Sequence, residues 1–214
     1  MLRRPPLFLF LLLFTISSLN SIKAQTKAEF LEEALGDLDG DDVNERVVVY
    51  STDSITDNGR LREVHIFKKT ANDWTLWQQK TGVVMASEAG GALGDPFVSV
   101  EIKDGQLVFY HTGGETEKWN YTHHFRFLDG VFELVSAKIS FGTLCDSFTN
   151  IDFDLLSGLL SYKQESDNCS QKGVNQLLVD KKVLAYLDEL PKMQGFLPGD
   201  NRMEVPGTSL VFFY

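Results

Sequence analysis

The alternation of apolar and polar positions predicts short β-strands along most of the chain. Asp104-Gly105, Asp129-Gly130 and Ser157-Gly158 each place two turn residues, with glycine second, between apolar or alternating segments. Two-residue turns of this kind need positive φ, which matches the twist of the strands they join. We therefore expect three β-hairpins in the middle of the chain.

The predicted strands fall into two groups. Those of the three hairpins are Val98–Lys103, Gln106–His111, Trp119–Leu128, Val131–Ile139, Ile151–Leu156 and Leu159–Lys163. Others are Arg46–Ser51 and Glu63–Lys68 around the Asn58-Gly59 loop, then Trp74–Gln78, and a terminal strand, Ser209–Tyr214. Consecutive hairpins bring sequence neighbours together in space. The fold class is thus mainly β, an antiparallel meander of about nine to eleven strands arranged as a sandwich, barrel or propeller-like stack.

One segment, Asn175–Leu190, predicts a C-terminal helix. Its apolar side chains recur at helical spacing, and a proline follows directly. These side chains are Val179, Val183, Tyr186, Leu187 and Leu190, and the proline is Pro191. Since no linker divides the chain, we expect a single β-rich domain over residues 25–214.

Residues 1–24 have the order of charges and apolar residues that is typical of a cleavable secretory signal peptide. Arg3 and Arg4 precede the apolar run Leu7–Ile16, and small and polar residues lead to Ala24. The run is about half the length of a membrane-spanning helix. We therefore expect export to the periplasm or the medium, with no stable membrane insertion after cleavage.

Charge and cysteine content restrict the partners and the compartment. The formal net charge is −10, and a polyanion would be repelled by such a chain, which argues against nucleic acid as a partner. Cys145 and Cys169 are the two cysteines. An even count in an oxidising compartment predicts a disulfide between them.

The segment that carries the most chemistry is acidic and runs from Asp37 to Glu45, directly before an apolar strand. Calcium takes six to eight oxygen ligands, and a tight loop with acids at alternating positions can supply them. The candidate calcium ligands are the side chains of Asp37, Asp39, Asp41 and Glu45 and the carbonyl of Val43. A solvated acidic turn is the alternative. With Asp37 as position 1 of the loop, position 12 is Val48. An EF-hand loop needs a glutamate at position 12, so this loop is not an EF-hand.

The acidic loop over residues 36–50 resembles the calcium loop of FG-GAP repeats, which occurs in integrin-type propellers and in secreted bacterial β-rich proteins. The chain holds one copy of it. The resemblance implies a calcium-binding loop that runs into a strand, and it implies no particular activity.

An aromatic stripe follows one face of a predicted strand by the two-residue period of a sheet. Its members are Trp119, Tyr121, His123, Phe125 and Phe127, with Asn120, Thr122, His124 and Arg126 on the other face. Such a stripe is usually core, and when exposed it could stack on sugar rings. We expect it to face the core.

Two glycine-bearing loops carry the acids that a hydrolase would need. Asp95 follows Gly90-Gly91-Ala92-Leu93-Gly94 in the first loop, and Glu115 and Glu117 belong to the second loop, Gly113-Gly114-Glu115-Thr116-Glu117. Glycosidase chemistry needs two carboxylates about 5–10 Å apart, a distance that sequence cannot give. No nucleophile elbow or zinc-binding helix is present in the sequence.

Three functions remain open at this point. The leading one is an exported, calcium-binding β-domain that binds an extracellular protein or glycan without catalysis. The first alternative is an extracellular hydrolase that uses the loop carboxylates. The second is a small outer-membrane β-barrel, suggested by the many hairpins and the aromatic C-terminal residue Tyr214.

Overall fold

The computed structural model describes residues 28–166, 169 and 175–214, which form a mainly β protein that is 62% strand. The predicted signal peptide, residues 1–24, lies outside this part. The first strands are β1 (Glu29–Gly36), β2 (Glu45–Thr56), β3 (Gly59–Lys69) and β4 (Trp74–Thr81). A short 3-10 helix (Gly91–Leu93) precedes β5 (Phe97–Lys103), β6 (Gln106–Gly114), β7 (Glu117–Leu128) and β8 (Val131–Thr143). The last are β9 (Ser147–Asp154), β10 (Leu159–Ser166), β11 (Leu177–Leu184), β12 (Arg202–Glu204) and β13 (Val211–Phe213).

The strands form antiparallel sheets in which sequence neighbours pair. One sheet has the order β1-β2-β3-β4, the second runs from β11 through to β5, and β12 pairs with β13. This confirms the predicted antiparallel meander, with 13 strands in the described residues rather than nine to eleven. Neither large sheet closes on itself within these residues, so of the predicted arrangements the barrel is not observed.

The two large sheets share one hydrophobic core. Alternate residues of β2 and β3, such as Val47 and Ile66, are buried in the same cluster as Phe109 and Phe125 of the second sheet. The ring of Trp77 in β4 lies 4.7 Å from that of Phe127 in β7, centroid to centroid. Apolar side chains on one face of each sheet thus leave water together, which is the main favourable term in folding.

The turn residues mostly act as predicted. Asp104 and Gly105 have φ of 53° and 70°, and Asp129 and Gly130 have φ of 46° and 90°. The hairpin at Ser157-Gly158 also forms, but Asp154 pairs with Leu159, so its loop has four residues rather than two. The reason is local, because the Asp154 carboxylate accepts the backbone N–H groups of Leu156 and Ser157 and ends the strand early.

The predicted C-terminal helix is wrong. Leu177–Leu184 is strand β11 at the edge of the seven-stranded sheet, where Val183 pairs with Leu160 and Val179 with Gln164. No α-helix is present in the described residues. A four-residue spacing repeats one face in a helix and also in a strand, and the open edge of β10 supplies hydrogen-bond partners that a local pattern does not show.

The predicted disulfide is confirmed. Cys145 and Cys169 are bonded, with their Cα atoms 4.9 Å apart. A disulfide is consistent with an oxidising, exported compartment. Among the residues described, no helix is long and apolar enough to span a bilayer.

Candidate functional site

The acidic loop joins β1 to β2 and brings three carboxylates together. Oxygen atoms of Asp37, Asp39 and Glu45 all lie within 4.8 Å of one another. Glu45 is the first residue of β2, and only 1% of its surface is exposed. Burial raises the pKa of its carboxyl, the hydrogen bond from the Leu38 N–H opposes this shift, and the charge of Asp39 adds to it. These three carboxylates could hold a metal ion.

Backbone hydrogen bonds hold the loop in shape. The Asp37 carboxylate accepts the N–H of Gly40 at 2.7 Å and that of Asp42 at 3.0 Å. The bond from Gly40 is the main reason that the pKa of Asp37 is lowered. Asp42 has φ of 63°, a left-handed conformation that aspartate tolerates better than most residues. The turn therefore keeps Asp37 ionised and oriented.

The two carboxylate oxygens of Asp39 have different surroundings. Lys68 of β3 donates to Oδ2, whereas Oδ1 is buried and has no hydrogen-bond partner among the described residues. The bond to Asp39 raises the pKa of Lys68. A buried oxygen without a donor is costly, so this atom favours a further electropositive group in the loop.

Asp41 and Val43, the other two residues predicted to supply ligands, lie in the exposed part of the loop. Asp41 is exposed and lies outside the group of three, and its Oδ1 accepts the N–H of Val43. The side chain of Val43 is exposed as well. Of the four acids proposed from the sequence, the fold thus brings Asp37, Asp39 and Glu45 together.

The first glycine-bearing loop is docked against the strands rather than open. The Gly114 N–H donates to the Gly90 carbonyl at 2.9 Å. Asp95 accepts a hydrogen bond from Arg62 at 2.5 Å. Arg62 is 4% exposed, and its Nε and Nη1 atoms have no partner among the described residues. Asp95 therefore serves as the counter-ion of a buried cation.

The remaining hydrolase candidates occupy different surroundings. Glu115 lies against the backbone of Gly91, while Glu117 begins β7 and lines a small aromatic pocket. Of these three acids, Asp95 is engaged in an ion pair with Arg62.

The aromatic stripe of β7 divides along its length. His123 and Phe125 are fully buried in the core, as expected, and Phe127 packs on the core edge. Trp119 and Tyr121 are half-buried and line the pocket that also contains Glu117. Sequence periodicity identifies the face but not the point at which the core ends.

On the opposite face of the seven-stranded sheet, residues that are mostly polar by type line a groove of about 390 Å³. Asn120 and Thr122 of β7 lie beside Lys138 of β8 and Asp152 of β9, with the Lys138 and Asp152 side chains 3.6 Å apart. A polar outer face is ordinary for an antiparallel sheet with one buried side. Residues from five strands line this groove, so sequence analysis had no local signal for it.

Within its described residues, the chain is an all-β protein with two large open sheets, a disulfide and an acidic cluster that could hold a metal ion. Comparison with models of known families, with curated proteins and with solved structures gave no match. These comparisons give no support to the FG-GAP resemblance.

Proposed function

We propose that this chain is an exported, non-catalytic binding domain whose β1–β2 loop holds a calcium ion. The observation that carries the proposal is the meeting of three carboxylates within 4.8 Å, one of them on the buried Glu45. Like charges at this distance repel one another, and a bound cation removes that cost. The Oδ1 atom of Asp39, which has no hydrogen-bond partner among the described residues, is available as the ligand atom of that residue.

The donor set favours calcium over softer metals. The three side chains offer oxygen atoms alone, and hard cations such as calcium and magnesium prefer oxygen. Calcium accepts irregular geometry and backbone carbonyls, whereas magnesium demands a near-octahedral shell. The loop is nine residues long and irregular, which suits calcium better than magnesium. Asp41 and the Val43 carbonyl are the two further ligands that the sequence leads us to expect.

The export part of the proposal depends on different observations. The N-terminal sequence has the features of a signal peptide, and the disulfide is of the kind that forms in oxidising compartments. The binding role, with an extracellular protein or a glycan as the partner, is the function that the sequence favours. Calcium in such a domain stabilises the loop at the start of the first sheet.

Thermal unfolding tests the calcium site. Binding stabilises the folded state by about 2.7 kcal/mol when free calcium exceeds its dissociation constant a hundredfold. Extracellular sites often have dissociation constants of about 10⁻⁴ to 10⁻³ M, so we expect the melting temperature to rise with millimolar calcium. Magnesium at equal ionic strength should raise it much less.

Two double variants identify the loop as the cause. Asp37→Asn with Glu45→Gln should abolish the response to calcium, since the shapes are kept and two ligand charges are lost. Asp180→Asn with Glu204→Gln removes the same charge from exposed positions elsewhere and should keep the response. Equal shifts with calcium and magnesium, in the wild type and both variants, would reject the site.

A further inference from the structure

A second candidate site lies at the Trp119 end of the aromatic stripe, where β7, β8 and β13 meet. Trp119 and Tyr121 of β7, Phe141 of β8 and Phe213 of β13 line a pocket of about 200 Å³, and Glu117 lies in its wall. We call this set the aromatic pocket. Phe213 is 46% exposed, and Trp119, Tyr121 and Phe141 are half-buried, so the rings can be reached from solvent.

The rings are held in place by the sheet. The Trp119 and Tyr121 rings stack with centroids 4.9 Å apart and an angle of 24° between their planes. In the sheet, Trp119 lies opposite Phe141 of β8 on one side and opposite Gly113 of β6 on the other. A Cβ atom at Gly113 would overlap the indole ring, which shows that Trp119 lies directly over that glycine. The pocket walls are therefore preorganised, and a ligand need not order them.

The pocket combines these rings with uncompensated negative charge. Glu117 has no ion-pair partner among the described residues, and no lysine, arginine or histidine lines the pocket. Burial raises the pKa of the Tyr121 hydroxyl, and the charges of Glu117 and Asp200 add to the rise, so both acids act on this ring. The net charge of the whole chain is −10 and thus has the same sign as the charges of Glu117 and Asp200.

We propose that the aromatic pocket binds a small organic cation of the quaternary-ammonium class. Aromatic faces attract cations, tryptophan most strongly, and the effect grows when water is excluded. The proposal adds a small-molecule ligand to the protein or glycan partner proposed above, and it rests on that proposal only in treating the chain as a binding domain. It does not depend on the calcium loop.

Other ligand classes fit the pocket less well. A metal ion prefers several oxygen ligands, and the lining side chains offer few. A neutral sugar could stack on these rings but would leave the negative charge of Glu117 unneutralised. A neutral apolar ligand would fill the space but would leave Glu117 without a role. The charge and the rings together favour a cation with apolar substituents.

Calorimetric titration of the full chain with choline tests the proposal, and the neutral carbon isostere of choline is the matched ligand. We expect saturable choline binding and binding of the isostere that is weaker by about tenfold or more, the ratio for 1.4 kcal/mol. High salt should weaken choline binding, because a charge near the surface is screened.

Two variants and one control variant locate the site. Trp119→Leu should weaken choline binding by about tenfold, since the best cation-binding ring is lost. Glu117→Gln keeps the exposed side chain's shape and should weaken choline without changing the affinity for the isostere. Trp74→Leu removes another tryptophan, which lies under Lys69 in the first sheet, and should leave choline binding unchanged.

Each outcome decides the proposal. Equal affinity for choline and its isostere, unchanged choline affinity in Glu117→Gln, or no saturable choline binding would overturn it. If Trp119→Leu does not fold, the comparison of ligands and Glu117→Gln still decide. The calcium-induced thermal shift is measured on the same samples, so failure of the calcium site and failure of the aromatic pocket are seen separately.

Discussion

Two buried histidines on neighbouring strands stand out at the scale of single residues. His111 of β6 and His123 of β7 are almost fully buried on the core side of the sheet. His111 Nε2 accepts the Met85 N–H, whereas neither ring nitrogen of His123 has a partner among the described residues. Burial lowers the pKa of His111 to about 4 and that of His123 to about 3, with the charge of His111 adding to the second shift. Both rings are neutral at neutral pH.

These histidines predict a loss of stability in acid. Their pKa values in the folded state lie below the ordinary histidine value of 6.5, so protons bind the unfolded chain more tightly. The contribution of the neutral rings to the free energy of unfolding is fully present above pH 6.5 and is lost as the pH falls toward 4. Each histidine contributes a loss of roughly 1.4 kcal/mol per pH unit in this window.

Chemical denaturation between pH 7 and pH 4.5 measures the effect. His123→Leu should reduce the acid-induced loss, and it should cost little at pH 7 because the ring makes no hydrogen bond within the described residues. His65→Gln serves as the control, because His65 is half-buried beside Glu63 on the outer face. If His123→Leu and the wild type lose stability in parallel, the buried histidine is not responsible.

At the scale of elements, the hairpin turns depend on backbone conformation rather than on packing. Gly130 has φ of 90°, and a Cβ atom placed there would meet nothing within 4 Å. Its substitution therefore costs conformational strain alone. The same hairpin joins β7 to β8, the two strands that carry Trp119 and Phe141 of the aromatic pocket.

We predict that Gly130→Val lowers the free energy of unfolding by more than about 1 kcal/mol, because β-branched residues avoid positive φ. Gly130→Asn should cost less, since asparagine adopts this conformation more readily. Urea denaturation measures both. Two variants of equal stability would mean that the left-handed turn is not what the glycine provides.

Strand β11 shows how an element can differ from its local pattern. Val179 and Val183 are four residues apart and share a face in a strand as well as in a helix. Both pack against the core from the edge position beside β10. Strand β1 is a similar case, since its Glu-, Ala- and Leu-rich sequence gives no strand signal and its pairing with β2 supplies the hydrogen bonds.

At the scale of the whole molecule, the disulfide joins the end of β8 to the segment that precedes β11. The two cysteines are separated by 24 positions and enclose β9 and β10. A crosslink of this length restricts the unfolded chain and keeps β11 close to the sheet edge that it joins.

We predict that Cys145→Ser with Cys169→Ser lowers the free energy of unfolding by roughly 3.5 kcal/mol in the chain-entropy model. Urea denaturation of the double variant measures the loss, and the wild type under reducing conditions is the matched control. Thiol titration of the denatured, unreduced wild type should find almost no free thiol. A double variant as stable as the wild type would show that the bridge contributes little to the fold.

Local features of this chain were predictable because their physical causes are local. Positive φ at Asp104-Gly105 and Asp129-Gly130, and the alternation in the strands beside them, follow from neighbouring residues. The acidic cluster was predictable for the same reason, since Asp37, Asp39 and Glu45 belong to one nine-residue segment. The even number of cysteines, together with the oxidising compartment expected from the N-terminal sequence, predicted the disulfide.

Contacts between distant segments were decided only by the tertiary structure. The Val100 N–H donates to Glu32 across the edges of the two large sheets, and the aromatic pocket joins Glu117 to Phe213. Pairing at open strand edges placed β1 and β11, against what their composition and spacing indicate. The physical reason is that burial and interstrand hydrogen bonds, summed over a whole sheet, exceed local conformational preferences of a few tenths of a kcal/mol per residue.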